Sequence, residues 1–152
     1  MKYTISITLD LPRQKVIELF DNPDNLRHWQ KGFISFEHVS GIQGQEGAVS
    51  NLNYKMGKRS MELVETILKR ELPNEFHGTY DTKGVHNIQE NYFKEVDEQK
   101  TEWVSVTEFQ FSGFMMKMMG FLMPGAFKKQ SYKFMEDFKN FAEKGISVTE
   151  KS

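Results

Sequence analysis

Phe127, Ser131, Phe134, Phe138 and Phe141 recur at spacings of four, three, four and three. That rhythm places all five on one face of a helix. From Phe33 to Phe111 the apolar residues instead return every second position, the period of half-buried strands. A chain that must bury one long apolar-faced helix against a run of such strands has few layered solutions. The simplest is α+β: an antiparallel sheet of six or seven strands, curved around the helix. The helix is predicted over Gly125 to Lys144 and spans about 30 Å, the width of a small domain.

The N-terminal part adds one strand and two short helices. Tyr3, Ile5, Ile7 and Leu9 alternate in a strand over Lys2 to Leu9. Pro12 opens a helix, since proline is tolerated in a first turn, and Val16, Leu19 and Phe20 form its stripe. Asp21 and Asn22 before Pro23 cap a second short helix ending near Trp29. After a strand over Phe33 to Ser40 and the turn GIQGQEG, a hairpin pairs Ala48 to Tyr54 with Arg59 to Arg70 around Met56-Gly57. That turn sets Tyr54 opposite Arg59 and Leu52 opposite Met61, with Leu52, Tyr54, Met61, Leu63 and Ile67 on one face.

A second hairpin joins Glu75 to Asp81 and Val85 to Val96 through a turn at Thr82-Lys83. Phe76, Gly78 and Tyr80 then share a face with Val85, Asn87, Gln89, Asn91 and Phe93. The last strand, Thr101 to Phe111, depends on the turn before it. An even turn sends Val104, Val106 and Glu108 inward; an odd one sends Trp103, Ser105, Thr107 and Phe109 inward. The even form is expected, because the earlier turns close that way.

Length and composition bound the rest. The 152 residues suit one domain, expected over 1–146, with 147–152 as a disordered tail. The net charge of −1 makes no electrostatic case for nucleic acid or for anionic membranes. Without cysteine there are no disulfides, thiolate metal sites or cysteine nucleophiles. MKYTISITLD lacks the apolar run of a secretory signal, and nothing approaches the ~20 apolar residues of a membrane span. A cytoplasmic protein is expected, a monomer or weak homodimer, with no stable membrane insertion.

Three segments carry the order just described: LDLPRQKVIELF, DNPDNLRHW ending in tryptophan, and GAFKKQSYKFMEDFKNFAE. In this order they resemble the helix-grip fold of the START-like, or Bet v 1-like, superfamily (SRPBCC), in its polyketide cyclase/dehydrase-like branch. The resemblance covers nearly the whole chain, but none of its motifs carries a catalytic residue. It implies a cavity between sheet and long helix. Family members carry out lipid transfer, hormone binding, ring cyclisation and chaperone activation, so the fold does not choose among them.

The predicted cavity wall combines apolar surface with a few polar groups, as ligand pockets do. Trp29, Leu52, Tyr54, Met61, Phe76 and Tyr80 supply the wall, with Phe127 and Phe134 from the helix. Asn87, Gln89 and Asn91 form a row of amides, either facing wet or liganded space or lying outside in solvent. Glu108, if inward among them, is the candidate general acid or base.

Other constellations carry less. His77 and His86 lie diagonally on one face with Glu75 and Glu90, but Thr79 and Asp81 mark that face as solvated, so no metal is expected. His28 beside Trp29 is a base at the cavity mouth or a surface residue. GIQGQEG precedes a strand rather than a helix, so it is a mobile turn and not a phosphate loop. No serine sits in a GxSxG turn, and no cofactor is implied.

SGFMMKMMGFLMPG holds five of the nine methionines. Its thioethers suit Cu(I), but no histidine accompanies them. Methionine also fills irregular core and adapts to variable partners. The expectation is a flexible lid over a hydrophobic pocket, with Met115 and Met119 facing the ligand; the alternative is an exposed patch for a membrane or another subunit. Binding of a hydrophobic or amphipathic small molecule is the first functional expectation. A cyclase or dehydratase using Glu108 with Asn87 or Asn91 is the second, and an adaptor acting through 114–123 the third.

Overall fold

The computed structural model describes residues 1–150. Seven strands form one antiparallel sheet: β1 Lys2–Leu9, β2 Phe33–Ser40, β3 Val49–Met56, β4 Arg59–Glu71, β5 Glu75–Thr82, β6 Val85–Asp97 and β7 Lys100–Phe111. Their order across the sheet is β1-β7-β6-β5-β4-β3-β2. Between β1 and β2 lie α1 (Arg13–Phe20), a 3-10 turn (Pro23–Asn25) and α2 (Leu26–Trp29). After β7 come α3 (Phe114–Leu122) and α4 (Pro124–Lys144). This is the antiparallel sheet around one long helix expected from the periodicity, and the helix-grip arrangement that the resemblance implies.

Four β-bulges fall at Ile34, Val39, Leu68 and Val96, where the pairing register steps by one residue. Each bulge leaves a residue without a ladder partner and bends its strand. All four of these apolar side chains are exposed, as expected of residues thrown off the inner face.

The Val96 bulge corrects the reading of β7. The turn itself is even: Asp97 pairs with Lys100 around Glu98-Gln99. The bulge then adds one residue, so Glu95 faces Thr101 and Phe93 faces Trp103. One inserted residue flips a whole strand. Thr101, Trp103, Ser105 and Thr107 are therefore buried on the inner face, and Glu108 lies on the outer face opposite Ile88.

The two hairpins differ from expectation in a milder way. Tyr54 pairs with Met61 and Leu52 with Leu63, around a turn at Gly57-Lys58. Thr82 pairs with Val85 around Lys83-Gly84. Both are slips of two, which move every partner and change no facing. Gly57 and Gly84 have φ of 64° and 77°, the left-handed region that glycine enters without strain.

The core gathers around Phe20. Its ring meets Phe76, Phe93, Trp103 and Phe138 edge-on, at centroid distances of 5.9, 4.9, 5.5 and 6.2 Å. Trp29 adds a stacked contact at 6.1 Å. Edge-to-face pairs set the electron-poor ring edge against the electron-rich face and add about 0.5–1.5 kcal/mol beyond burial. From α4, Met135 and Phe138 are fully enclosed, and Phe134 and Phe141 pack against the same cluster.

Polar contacts then fix α4 along β1 and α2. The Tyr3 hydroxyl donates to the Phe127 carbonyl at 3.1 Å and lies 2.6 Å from the Ser131 hydroxyl. Lys139 donates to the Thr8 carbonyl, and Glu143 accepts from the Asp10 amide. At the far end the His28 ring stacks on Phe141, and its Nδ1 bonds the buried Ser147 hydroxyl at 2.9 Å. Val148–Glu150 forms a 3-10 turn; of the tail expected over 147–152, Lys151 and Ser152 lie outside the described residues.

Candidate functional site

The inner face has two zones. Near α1, α2 and the C-terminal half of α4 it is packed core. Further along, towards the β3–β4 and β5–β6 turns, the curved inner face carries polar side chains, and this stretch is termed the trough. Trp29, Phe76 and Phe134 fall in the first zone, so these three expected ligand contacts help build the core. The Trp29 indole N–H is buried without a hydrogen-bond partner among the described residues. Leu52, Tyr54, Tyr80, Asn87 and Gln89 fall in the trough, with Met61 at its end beside Tyr54.

Register places one further residue there. Glu65 pairs with Tyr80 on β5 and with Ser50 on β3, and it stands between the inward Leu63 and Ile67. Glu65, rather than Glu108, is thus the inward carboxylate. Counting by twos from Met61 through Leu63 to Ile67 passes through it, so the signal was present in the sequence.

The electrostatics of this group follow from burial. Loss of water pushes the Glu65 carboxyl above the ordinary carboxylate value, partly opposed by the Tyr80 hydroxyl, which bonds the charged form. Tyr80 is pushed well up, first by burial and then by the negative charge of Glu65. Tyr54 is raised for the same two reasons, and its hydroxyl donates to Gln30 Oε1 at 2.5 Å. Both phenols therefore stay protonated at neutral pH and act as hydrogen-bond donors.

The amide row has partly found protein partners. The Asn91 carbonyl accepts from Trp103 Nε1 at 2.9 Å. Asn87 donates to the Glu108 backbone carbonyl at 3.0 Å and accepts from Gln89 at 2.8 Å. Asn87 and Asn91 are buried, whereas Glu65, Tyr80, Gln89, Leu63 and Met61 keep partial exposure. Solvent reaches the second set, so these are the groups a bound molecule would meet first.

The expected lid sits elsewhere. The 114–123 segment forms α3, which contacts β7 and α4 at the sheet's rim. A Cβ on Gly120 would stand 2.5 Å from the Phe111 ring, and one on Gly84 would stand 2.7 Å from Met116 Cγ. Those two glycines let α3 seat on Phe111 and the β5–β6 turn. Met115 and Met119 are exposed, at 70% and 41%. Phe127 meets Phe109 at a tilt and Phe111 edge-on beneath this rim. Two open depressions, of about 470 Å³ between α3 and the end of β7 and about 370 Å³ at the β5–β6 turn, are both free of Tyr80, Asn87 and Asn91. The polar trough thus lies apart from both depressions.

The outer face carries His77 nearly buried under Tyr92, with Nε2 at 3.2 Å from Glu75 Oε1. His86 pairs with Asp81. Among the described residues no three His, Asp or Glu side chains converge as metal ligands. No described helix is long and apolar enough to cross a membrane.

No family model and no curated protein matches this sequence. Similarity appears in shape. The Zhui aromatase/cyclase from a Streptomyces species superposes with a TM-score of 0.77 at 12% identity, over 98% of this chain and 97% of that one. Ara h 8.0201 gives 0.72 at 14% identity, over 93% and 97%. Norcoclaurine synthase from Thalictrum flavum, solved with dopamine and hydroxybenzaldehyde, gives 0.68 at 10% identity, over 93% and 85%. The chain shares the helix-grip fold of these structures.

Proposed function

We propose that the trough binds a hydrophobic or amphipathic small molecule carrying a hydroxyl, phenol or carbonyl group. The observation that supports this best is the Glu65–Tyr80 pair, set on a concave wall with Leu52, Leu63 and Gln89. A desolvated carboxylate beside a phenol costs stability in an empty trough, and a ligand offering a donor to Glu65 or an acceptor to Tyr80 recovers it. The apolar wall supplies affinity and the polar pair orientation. The structures similar in shape include an aromatase/cyclase and an enzyme solved with aromatic ligands, in keeping with a ligand of this class.

Native mass spectrometry of the protein purified from its own host tests the proposal. A co-purifying small molecule, lost in Tyr80→Phe and Glu65→Gln, is the expected result. A bare protein that also fails to take up naphthols or flavonoids would end it.

A second reading is favoured by the raised Glu65 carboxyl. A cyclase or dehydratase acting beside a carbonyl needs an inward base and a donor for the developing oxyanion. Glu65 would take the α-proton and Tyr80 would donate to the oxygen, roles that Glu108 on the outer face cannot fill. Deuterium exchange from heavy water into an enolisable aromatic ketone tests it. Exchange that vanishes in Glu65→Gln supports catalysis; an unchanged rate leaves binding alone.

A further inference from the structure

α3 is apolar on nearly all sides but needs little of that surface for packing. Met116 and Gly120 face the rim, where they meet Gly84 and Phe111. The remaining arc carries Phe114, Met115, Phe121 and Leu122 at 74, 70, 83 and 67% exposure. Large side chains are rarely left so exposed together unless another phase or partner covers them. Charge indicates which. From Phe109 to Met135 the chain has no acid and four lysines, Lys117, Lys128, Lys129 and Lys133. Lys133 is paired with Asp137, while Lys117, Lys128 and Lys129 are exposed and in no ion pair among the described residues. The overall charge of −1 hides this local excess.

We infer that α3 and the first turns of α4 dock reversibly on an anionic lipid surface. The aromatic and methionine side chains enter the headgroup boundary, and the three free lysines meet the lipid phosphates. At 1.5 Å per residue α3 is about 14 Å long, so it lies along the surface and cannot span. A second copy of this chain fits less well, because it would bring its own lysines against these. The inference is independent of what the trough binds.

Vesicle flotation tests it, comparing phosphatidylcholine alone with mixtures containing phosphatidylglycerol. The natural protein should float with the anionic vesicles only and be released by high salt, which screens the lysines. Phe114→Ser/Phe121→Ser should abolish flotation and leave the melting temperature unchanged, since neither ring is packed. Lys128→Gln/Lys129→Gln should weaken binding roughly 30-fold at low salt. Failure to float with either vesicle overturns the inference. So does equal binding to both that the lysine changes do not alter. Concentration-dependent self-association that the serine pair abolishes, without vesicle binding, would assign the patch to a second copy instead.

Discussion

Tyr80 folds back over Gly78: a Cβ at position 78 would stand 3.4 Å from the Tyr80 hydroxyl oxygen and 3.6 Å from its ring. The missing side chain makes a shallow step in the inner face, and the phenol lies in it along the sheet. Gly78→Val should crowd the ring out and weaken binding of a hydrophobic dye. The stability cost should be about 1–3 kcal/mol, typical of an overpacked site. Dye titration beside a denaturant melt checks both. Unchanged dye binding would mean that the Tyr80 position does not matter to the trough.

Glu65 gives a pH prediction. Its folded-state pKa is raised above 4.5, so the folded protein keeps this proton to higher pH than the unfolded chain does. The stability linked to the site is therefore complete below the ordinary carboxylate range and falls as pH rises through the raised value. Glu65→Gln has no such proton to lose. Its melting temperature should exceed that of the natural protein at neutral pH, and the difference should shrink as the solution is acidified. A variant less stable at neutral pH would contradict the burial of this carboxyl.

Phe138 is fully enclosed and touches the rings of Phe20, Trp29 and Trp103. Phe138→Ala should cost about 3–5 kcal/mol in urea unfolding, because the surrounding rings cannot collapse into the gap. A loss below about 1 kcal/mol would mean that this face of α4 is not packed on the sheet.

Met115→Gln/Met119→Gln should change stability by no more than about 0.5 kcal/mol, since neither side chain is buried. It should also leave dye binding in the trough intact. A clear loss of dye binding would restore these methionines to the ligand site.

Much of this was legible from periodicity. The Phe127-to-Phe141 stripe located the helix face, and alternation located every strand, because burial on one side imposes both patterns. Hairpin slips of two did no harm, as they preserve facing. The Val96 bulge did, because nothing in FKEVDEQK signals an extra residue to a reading that counts turns. That single step moved Glu108 outward and brought Trp103 and Thr107 in. Glu65 was missed for another reason: a charge between Leu63 and Ile67 contradicts the pattern of its own strand, and such local contradictions gather at functional sites. The methionine stretch was read first as a lid and only second as an exposed patch, because where it packs depends on Gly84 and Gly120, whose role appears only in the fold.

The central claim is that the trough around Glu65 and Tyr80 is the ligand site. An NMR titration with a naphthol tests it most directly, read at the side-chain amides of Asn87, Gln89 and Asn91 and at the aromatic signals of Tyr80. The account predicts saturable shifts concentrated on these groups, abolished together by Tyr80→Phe/Glu65→Gln while the protein stays folded. Shifts confined to Phe114, Phe121 and their neighbours on α3, with the trough signals unmoved, would contradict it.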